Sequence, residues 1–269
     1  MLPALKNRAC YSTLTMYILI ETLVAALALN GIMFLIAYWL QSDKLTDISY
    51  AISFIGVALL ILVHAHKTPY AFIGTGLVIV WGVRIGAFLL RRVLHVGKDR
   101  RFDGIREKFV KFGTFWLGQA ITAWILTLPI ALALQGNSTW KQFAILGISI
   151  WLAGLVIETI ADQQKYRFRS QKHAQHPWID SGLWHYARHP NYFGEILVWV
   201  GVYVYALPNL GLLGKVIGII SPIFITILLL RVSGIPILEK NADERWGDKP
   251  EYQQYKQRTR LLIPLPKKG

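Results

Sequence analysis

The sequence predicts an all-α, polytopic membrane helix bundle. It has about seven transmembrane helices, cytoplasmic loops and a helical cytoplasmic tail. Three observations predict this. The 269-residue chain is 54% hydrophobic, with a mean hydropathy of +0.40. Only 16% of its residues are charged, against about 25% in soluble domains. The apolar residues are also gathered into long runs rather than spread at the period of an amphipathic surface.

A spanning helix needs about 20 apolar residues. Runs that meet or approach this length lie at 16–40, 48–63, 70–90, 115–134, 143–161, 193–207 and 210–230, the second and sixth being short. The sixth and seventh are separated only by Pro208-Asn209 and should form a tight antiparallel pair. Spans this closely spaced leave no room for a soluble domain, so residues 1–269 read as one integral membrane domain. The first run is too long for a signal peptide, and no small-residue cleavage site follows Leu40. Cys10 is the only cysteine, which excludes an intrachain disulfide and a cysteine metal site. The spans are rich in Gly and Ala, which let helices approach closely, and in Trp, which suits the interface.

The net charge is +14 and unevenly placed. Arg91, Arg92, Lys98, Arg100, Arg101, Arg106, Lys108 and Lys111 crowd the loop between spans three and four. Lys165, Arg167, Arg169, Lys172 and Arg188 crowd the loop between spans five and six, and further cations fill the tail. The loops at 135–140 and 208–209 carry almost none. The positive-inside rule then puts both basic loops and the C-terminus in the cytoplasm, and seven spans put the N-terminus outside. Cytoplasmic topology and anionic headgroups account for this charge without nucleic acid.

Four groups of residues can carry chemistry. If span five continues as a helix past Ala161, Glu158, Asp162, Lys165 and Arg169 fall at i, i+4, i+7 and i+11 on one face. Carboxylates there accept hydrogen bonds, and the cations suit phosphates. The second group is Ala187-Arg188-His189-Pro190-Asn191-Tyr192-Phe193-Gly194-Glu195, nine residues that open span six. Pro190 holds His189 extended and suits the first turn of a helix beginning near Asn191. Ionisable groups at the mouth of a membrane helix are costly to bury and mark a functional site. His185 and His189 lack a third ligand at close spacing, so no metal site is expected. The third group is the end of span seven and the tail: Arg231, Glu239, Arg245, Trp246, Tyr252 and Tyr255, with residues 239–258 reading as a partly amphipathic segment. The fourth lies in the first half: Asp47, Arg84 and Gln119, with Glu21 and Asn30 as weaker members, together suggesting a polar pocket inside the bundle. No P-loop, Gly-x-Gly-x-x-Gly or Gly-x-Ser-x-Gly motif is present, so any nucleotide is held by a non-Rossmann site.

The pattern Glu158, Ala161-Asp162-Gln163-Gln164-Lys165, Arg169, Gly182-Leu183-Trp184 and Arg188-His189-Pro190-Asn191-Tyr192-Phe193-Gly194-Glu195 resembles the steroid 5-alpha-reductase-like superfamily, closest to its bacterial branch of uncharacterised members. Ser233-Gly234, Glu239, Tyr252, Tyr255, Thr259 and Ile263-Pro264 fit as well. So, more loosely, do Asp47, Trp81-Gly82-Val83-Arg84, Asp99-Arg100-Arg101-Phe102 and Gln119. The resemblance implies a plasma-membrane reductase that uses NADPH to reduce a C=C bond of a steroid-like or other lipophilic substrate. It implies a substrate-pocket half at 1–134 and a cofactor half at 135–269. It implies cofactor contacts from Asp162, Lys165, Arg169, Arg188, His189, Asn191, Tyr192, Glu195, Arg231 and Glu239, the last standing where the family has a tyrosine. Asp47 falls where steroid reductases carry an acidic residue near the substrate carbonyl, with Asp in place of the expected Glu. Asp47 and Arg84 are then the catalytic pair, Asp47 donating to a carbonyl and Arg84 holding Asp47 or stabilising charge. Isoprenylcysteine carboxyl methyltransferases carry a similar Arg-His-Pro-x-Tyr-x-Gly motif and a tail with Glu, Tyr and Tyr, which makes an S-adenosylmethionine-dependent methyltransferase the competing enzyme reading. A non-catalytic lipid-binding membrane protein is the third.

Overall fold

The computed structural model describes residues 2–96, 104–133, 141–170 and 177–266. The expected Asp99-Arg100-Arg101-Phe102 motif, Lys98, Lys172 and the 135–140 loop lie outside them. The elements are α1 (Leu2–Trp39), α2 (Lys44–His64), α3 (Pro69–Val96), α4 (Phe109–Ala133), α5 (Lys141–Ser170), α6 (Leu183–Tyr186) and α7 (Pro190–Ala206). A 3₁₀ turn (Leu207–Asn209) leads to α8 (Leu212–Gly218), α9 (Ile220–Ile227), a π-helical turn (Leu228–Val232), α10 (Ile235–Trp246) and α11 (Pro250–Arg258). Among the described residues the only extended pairing is one isolated bridge, Ala187 with Arg260. The fold is all-α, as expected.

Six helical stretches among the described residues are long and apolar enough to cross a membrane: Thr13–Trp39, Lys44–His64, Pro69–Leu94, Phe109–Ala133, Lys141–Ser170 and Leu212–Trp246. The protein is therefore an integral membrane protein. In the last stretch the apolar part ends at the Ser233-Gly234 break, because α10 carries Glu239, Lys240, Asp243, Glu244 and Arg245. The sixth expected span is α7, of 17 residues. At 1.5 Å per residue it is about 25 Å long, somewhat under the ~30 Å hydrocarbon thickness. Its shortness has a local cause. Pro190, which lacks an N–H, opens it at the position where that donor would go unused, and Pro208 stops it.

The chain groups into two compact units. The first comprises Met1–Ile145 with Val202–Ser221; the second comprises Leu146–Gly201 with Pro222–Gly269. Residues 202–221 pack with the first unit although they follow α5 and most of α7 in the chain. Tyr205 explains why. Its ring stacks on Tyr70 at 4.5 Å, and its hydroxyl donates to the Tyr70 carbonyl at 2.7 Å. Ser221 Oγ likewise donates to the Leu126 carbonyl of α4 at 3.1 Å. Tyr203 Oη reaches the Lys215 carbonyl at 3.1 Å, which makes the expected antiparallel turn from α7 into α8. Aromatic residues fill the rest of this core: Phe54 against Trp81, and Phe34, Phe112 and Trp116 together.

In the second unit α5 and α7 pack backbone to backbone. Gly147 and Gly154 lie seven residues apart on α5, and Gly194 and Gly201 seven apart on α7. A Cβ on Gly154 would stand 2.6 Å from the Gly194 carbonyl; one on Gly194 would stand 2.6 Å from the Glu158 nitrogen. A Cβ on Gly201 would meet the Trp151 nitrogen at 2.5 Å. Small residues at a period of seven are what close membrane-helix packing requires, because in lipid the association rests on van der Waals contact rather than on expulsion of water.

Candidate functional site

The second unit carries the polar residues that the sequence singles out. α5 runs unbroken to Ser170, so Glu158, Asp162, Lys165 and Arg169 do share a face. Glu158 and Asp162 are buried, Lys165 is half-buried and Arg169 is exposed. Lys165 Nζ lies 4.6 Å from the Trp184 ring centroid, a cation–π contact. Trp184 is fixed in turn: its Nε1 donates to the Ala161 carbonyl at 3.0 Å.

The chain reaches Trp184 through Gly182, whose φ of +61° favours glycine. A Cβ there would also collide with the Gln164 side chain. Gln164 Oε1 accepts instead from the Leu183 N–H at 3.0 Å and anchors α6 to α5. Sequence reasoning gave Gln164 no role.

Arg188 and His189 sit in an extended segment before α7. Their N–H groups donate to the Arg260 and Leu261 carbonyls at 2.8 and 3.1 Å. The tail after α11 is thus laid along the Arg-His-Pro motif. Glu239 of α10 closes the arrangement. Its Oε1 lies 2.8 Å from His189 Nε2, and its Oε2 lies 3.1 Å from Arg188 Nη2 and 3.6 Å from Lys256 Nζ. Arg188 Nε also donates to Oε1 at 3.2 Å, and Nη1 donates to the Lys256 and Thr259 carbonyls at 2.8 and 3.1 Å. A guanidinium has five N–H donors, and the hydrogen bonds engage three of them, one on Nε and two on Nη1. In this arrangement the Arg188 side chain holds the tail. Tyr255 reinforces the same junction, its hydroxyl donating to the Trp184 carbonyl at 3.1 Å.

A carboxylate only accepts, so His189 Nε2 carries the proton in this contact. Burial lowers the His189 pKa below its usual 6.5, and Glu239 opposes that shift without cancelling it. The ring is therefore neutral near pH 7, and Nδ1 is an acceptor. It is buried and has no hydrogen-bond partner among the described residues. Asn191 Oδ1, two residues on in the first turn of α7, is in the same condition. Tyr192 stacks on His189 at 5.7 Å with the rings 10° from parallel. Glu195 follows one turn later and is partly buried, whereas Arg231 in the π-helical turn is exposed.

The first unit holds Asp47 and Arg84. Asp47 opens α2 and its Oδ2 accepts from Arg92 Nη2 at 2.7 Å. The cation that holds Asp47 is thus Arg92, two turns beyond Arg84 on α3, and not Arg84 as expected. Arg84 instead lies over the Phe88 ring at 5.7 Å. Gln119 Nε2 donates to the Thr46 carbonyl at 3.0 Å, which brings this expected pocket member to the start of α2. Beside it Asp43 Oδ1 accepts from Arg106 Nε at 2.9 Å, an ion pair whose side chains are 8% and 6% exposed. Sequence reasoning counted Arg106 only as a loop cation. No sequence signal connects residues 45 or 63 positions apart. Among the described residues no group of three or more His, Cys, Asp or Glu is arranged to hold a metal.

Fold and site together define a polytopic helical membrane protein whose tail is clamped onto an Arg-His-Pro helix start. The chain belongs to the family described as protein of unknown function DUF1295, whose profile matches residues 33–259. No curated protein and no solved structure matches the chain.

Proposed function

We propose that the protein is a membrane-embedded, NADPH-dependent reductase of a C=C bond in a lipophilic substrate. The observation that carries this reading is the pair of acceptors without partners, His189 Nδ1 and Asn191 Oδ1, in the same unit as the basic end of α5. Buried acceptors without donors are uncommon in finished structures and call for a ligand that brings N–H or O–H groups. A carboxamide and ribose hydroxyls bring both. The cations of the α5 end suit the phosphates of the same molecule. The resemblance to the steroid 5-alpha-reductase-like superfamily supports the same ligand.

In this reading Asn191 and His189 accept from the polar nicotinamide half, with Tyr192 packed on the imidazole. Asp162, Glu195 and Arg231 complete the polar surround, and Lys165 and Arg169 bind phosphate. Glu239 and Arg188 act at one remove, by fixing the imidazole and the tail. NADPH, when bound, supplies the hydride. In the first unit Asp47, held by Arg92, and Arg84 are assigned to the substrate: a guanidinium N–H stabilises the negative charge that develops on a conjugated carbonyl oxygen when the hydride arrives, and a proton from water then completes the reduction at carbon.

One observation favours a second reading. Glu239, Tyr252 and Tyr255 belong to one tail assembly, and a Glu-Tyr-Tyr tail is the pattern that resembles isoprenylcysteine carboxyl methyltransferases. S-adenosylmethionine would satisfy the two acceptors but has no phosphate for Lys165 and Arg169. Calorimetry of the purified protein with NADPH and with S-adenosylmethionine, side by side, separates the readings. NADPH is expected to bind in the micromolar range. Arg169→Ala should weaken it by roughly 10- to 100-fold, the loss of one charge-assisted hydrogen bond. Binding of S-adenosylmethionine alone would overturn the reductase reading.

A further inference from the structure

α5 is long and apolar enough to cross a membrane, and α7 packs antiparallel against it. Gly201 meets Trp151, and Gly194 meets Gly154 and Glu158. These contacts set the depth of α7 by the depth of α5. Pro190 lies four residues before Gly194, so it stands about 6 Å further along the axis, one turn beyond the level of Glu158. The cations of α5 begin just past that level, at Lys165 and Arg167. Pro190 therefore marks the boundary between the apolar layer and the headgroups.

Main-chain hydrogen bonds carry the same level to the tail. The Arg260 N–H donates to the Tyr186 carbonyl at 3.3 Å, and the Leu261 carbonyl accepts from the His189 N–H at 3.1 Å. Leu261 is thus held beside the residue that precedes Pro190. The chain continues Leu261-Leu262-Ile263-Pro264-Leu265-Pro266, six residues without a polar side chain. Leu261, Ile263 and Leu265 are 40%, 44% and 46% exposed. Scattered exposed apolar residues need no explanation, but a continuous exposed run marks an interaction surface.

The backbone suits the same place. Pro264 and Pro266 have no N–H to satisfy. The Leu265 N–H donates to the Ile263 carbonyl at 2.9 Å. Few main-chain donors in the segment are left to require water, and unsatisfied donors are what keep irregular chain out of an apolar layer. Cations bracket the run. Arg258 and Arg260 precede it and are exposed, and Lys267 and Lys268 follow it in sequence. Long basic side chains reach headgroup phosphates while the apolar residues between them sit lower.

We infer that residues 261–265 are a membrane anchor, seated at the headgroup–acyl boundary of the leaflet beside the basic end of α5. The partner is the lipid surface itself. The Arg188 contacts to the Lys256 and Thr259 carbonyls hold the chain just before this segment, so clamp and anchor act on one junction. The anchor goes beyond the reductase reading and does not depend on it, since none of its residues belongs to the proposed cofactor site.

The test is fluorescence quenching of the full-length protein in vesicles of phosphatidylcholine and phosphatidylglycerol. Cys10, the only cysteine, is replaced by serine. Ile263→Cys, Leu265→Cys and Gln257→Cys are then made one at a time and labelled with an NBD fluorophore. Gln257 is exposed on α11 and serves as the water-facing control. Interfacial segments lie ~5–10 Å into the boundary region, so a lipid spin-labelled near its headgroup should quench the labels at 263 and 265 at least about twofold more than one spin-labelled at its chain end. Aqueous iodide should quench both less than it quenches the label at 257. All three positions are exposed, so the substitutions remove little packing, and two sites in the run keep the test decisive if one variant folds poorly. Iodide quenching as strong at 263 and 265 as at 257 would overturn the proposal in favour of a tail in water. Protection from iodide and from both spin-labelled lipids would overturn it in favour of cover by protein, whether a second copy of the chain or another partner.

Discussion

Glu239 Oε1 lies 2.8 Å from His189 Nε2, across 50 residues of sequence. This contact joins α10 to the start of α7 and sets which imidazole nitrogen carries the proton. Because the same carboxylate holds Arg188 and Lys256, it also ties the last described turns of the chain to the Arg-His-Pro motif.

Removing that charge should loosen the tail. Glu239→Gln keeps the shape but leaves Arg188 without a counter-charge, and a hydrogen bond to a charged group contributes about 1.5–3 kcal/mol. The expected result is a lower melting temperature in detergent and earlier proteolysis after Lys249 or Lys256. An unchanged melting temperature would mean that the clamp contributes nothing to stability.

The lowered His189 pKa gives stability a pH dependence. An unfolded histidine titrates near 6.5, whereas the folded one holds its proton less tightly. Between the two values the unfolded state binds more protons, so stability rises with pH there. The contribution is fully present above pH 6.5 and is lost as pH falls through the folded pKa. Melting curves from pH 5 to pH 8 should show this loss, and His189→Gln should flatten it.

Gly194→Ala should be disproportionately harmful for a single methyl group. The added Cβ would lie 2.6 Å from the Glu158 nitrogen and 2.7 Å from the Gly154 carbonyl, and backbone cannot step aside as a side chain can. Overpacking of this kind costs about 1–3 kcal/mol. Because the shift would fall at Glu158 and at the first turns of α7, ligand affinity should drop along with thermal stability. Gly118→Ala, where a Cβ meets nothing within 4 Å, is the control.

The crossing of α7 decides the topology. Two helices, α4 and α5, separate the two basic loops, which puts those loops on one side. The basic tail joins them only if α7 and the α8–α9 stretch both cross. The positive-inside rule then predicts an external N-terminus and a cytoplasmic C-terminus. Reporter fusions at Gly269 and Gln135 check this, and a reporter active in the cytoplasm at Gln135 would refute the arrangement.

The sequence by itself determined the all-α membrane class, most of the spans and, to within one residue, the start of α7. Each of these rests on information within one segment: apolar run length, helical period, and the missing N–H of proline. It also named His189 and Asn191 as candidates, because polar groups at a membrane-helix mouth are conspicuous, and Glu239 through the pattern of the tail. The tertiary structure decided who meets whom. Arg92 rather than Arg84 holds Asp47, Arg188 spends its donors on the tail, and Gln164, Arg106 and Lys256 take part unannounced. An ion pair or hydrogen bond forms wherever two groups fall within about 3 Å after packing, and that distance is set by helix rotation and by the glycine contacts of α5 with α7. Nothing in the local sequence around either partner encodes it.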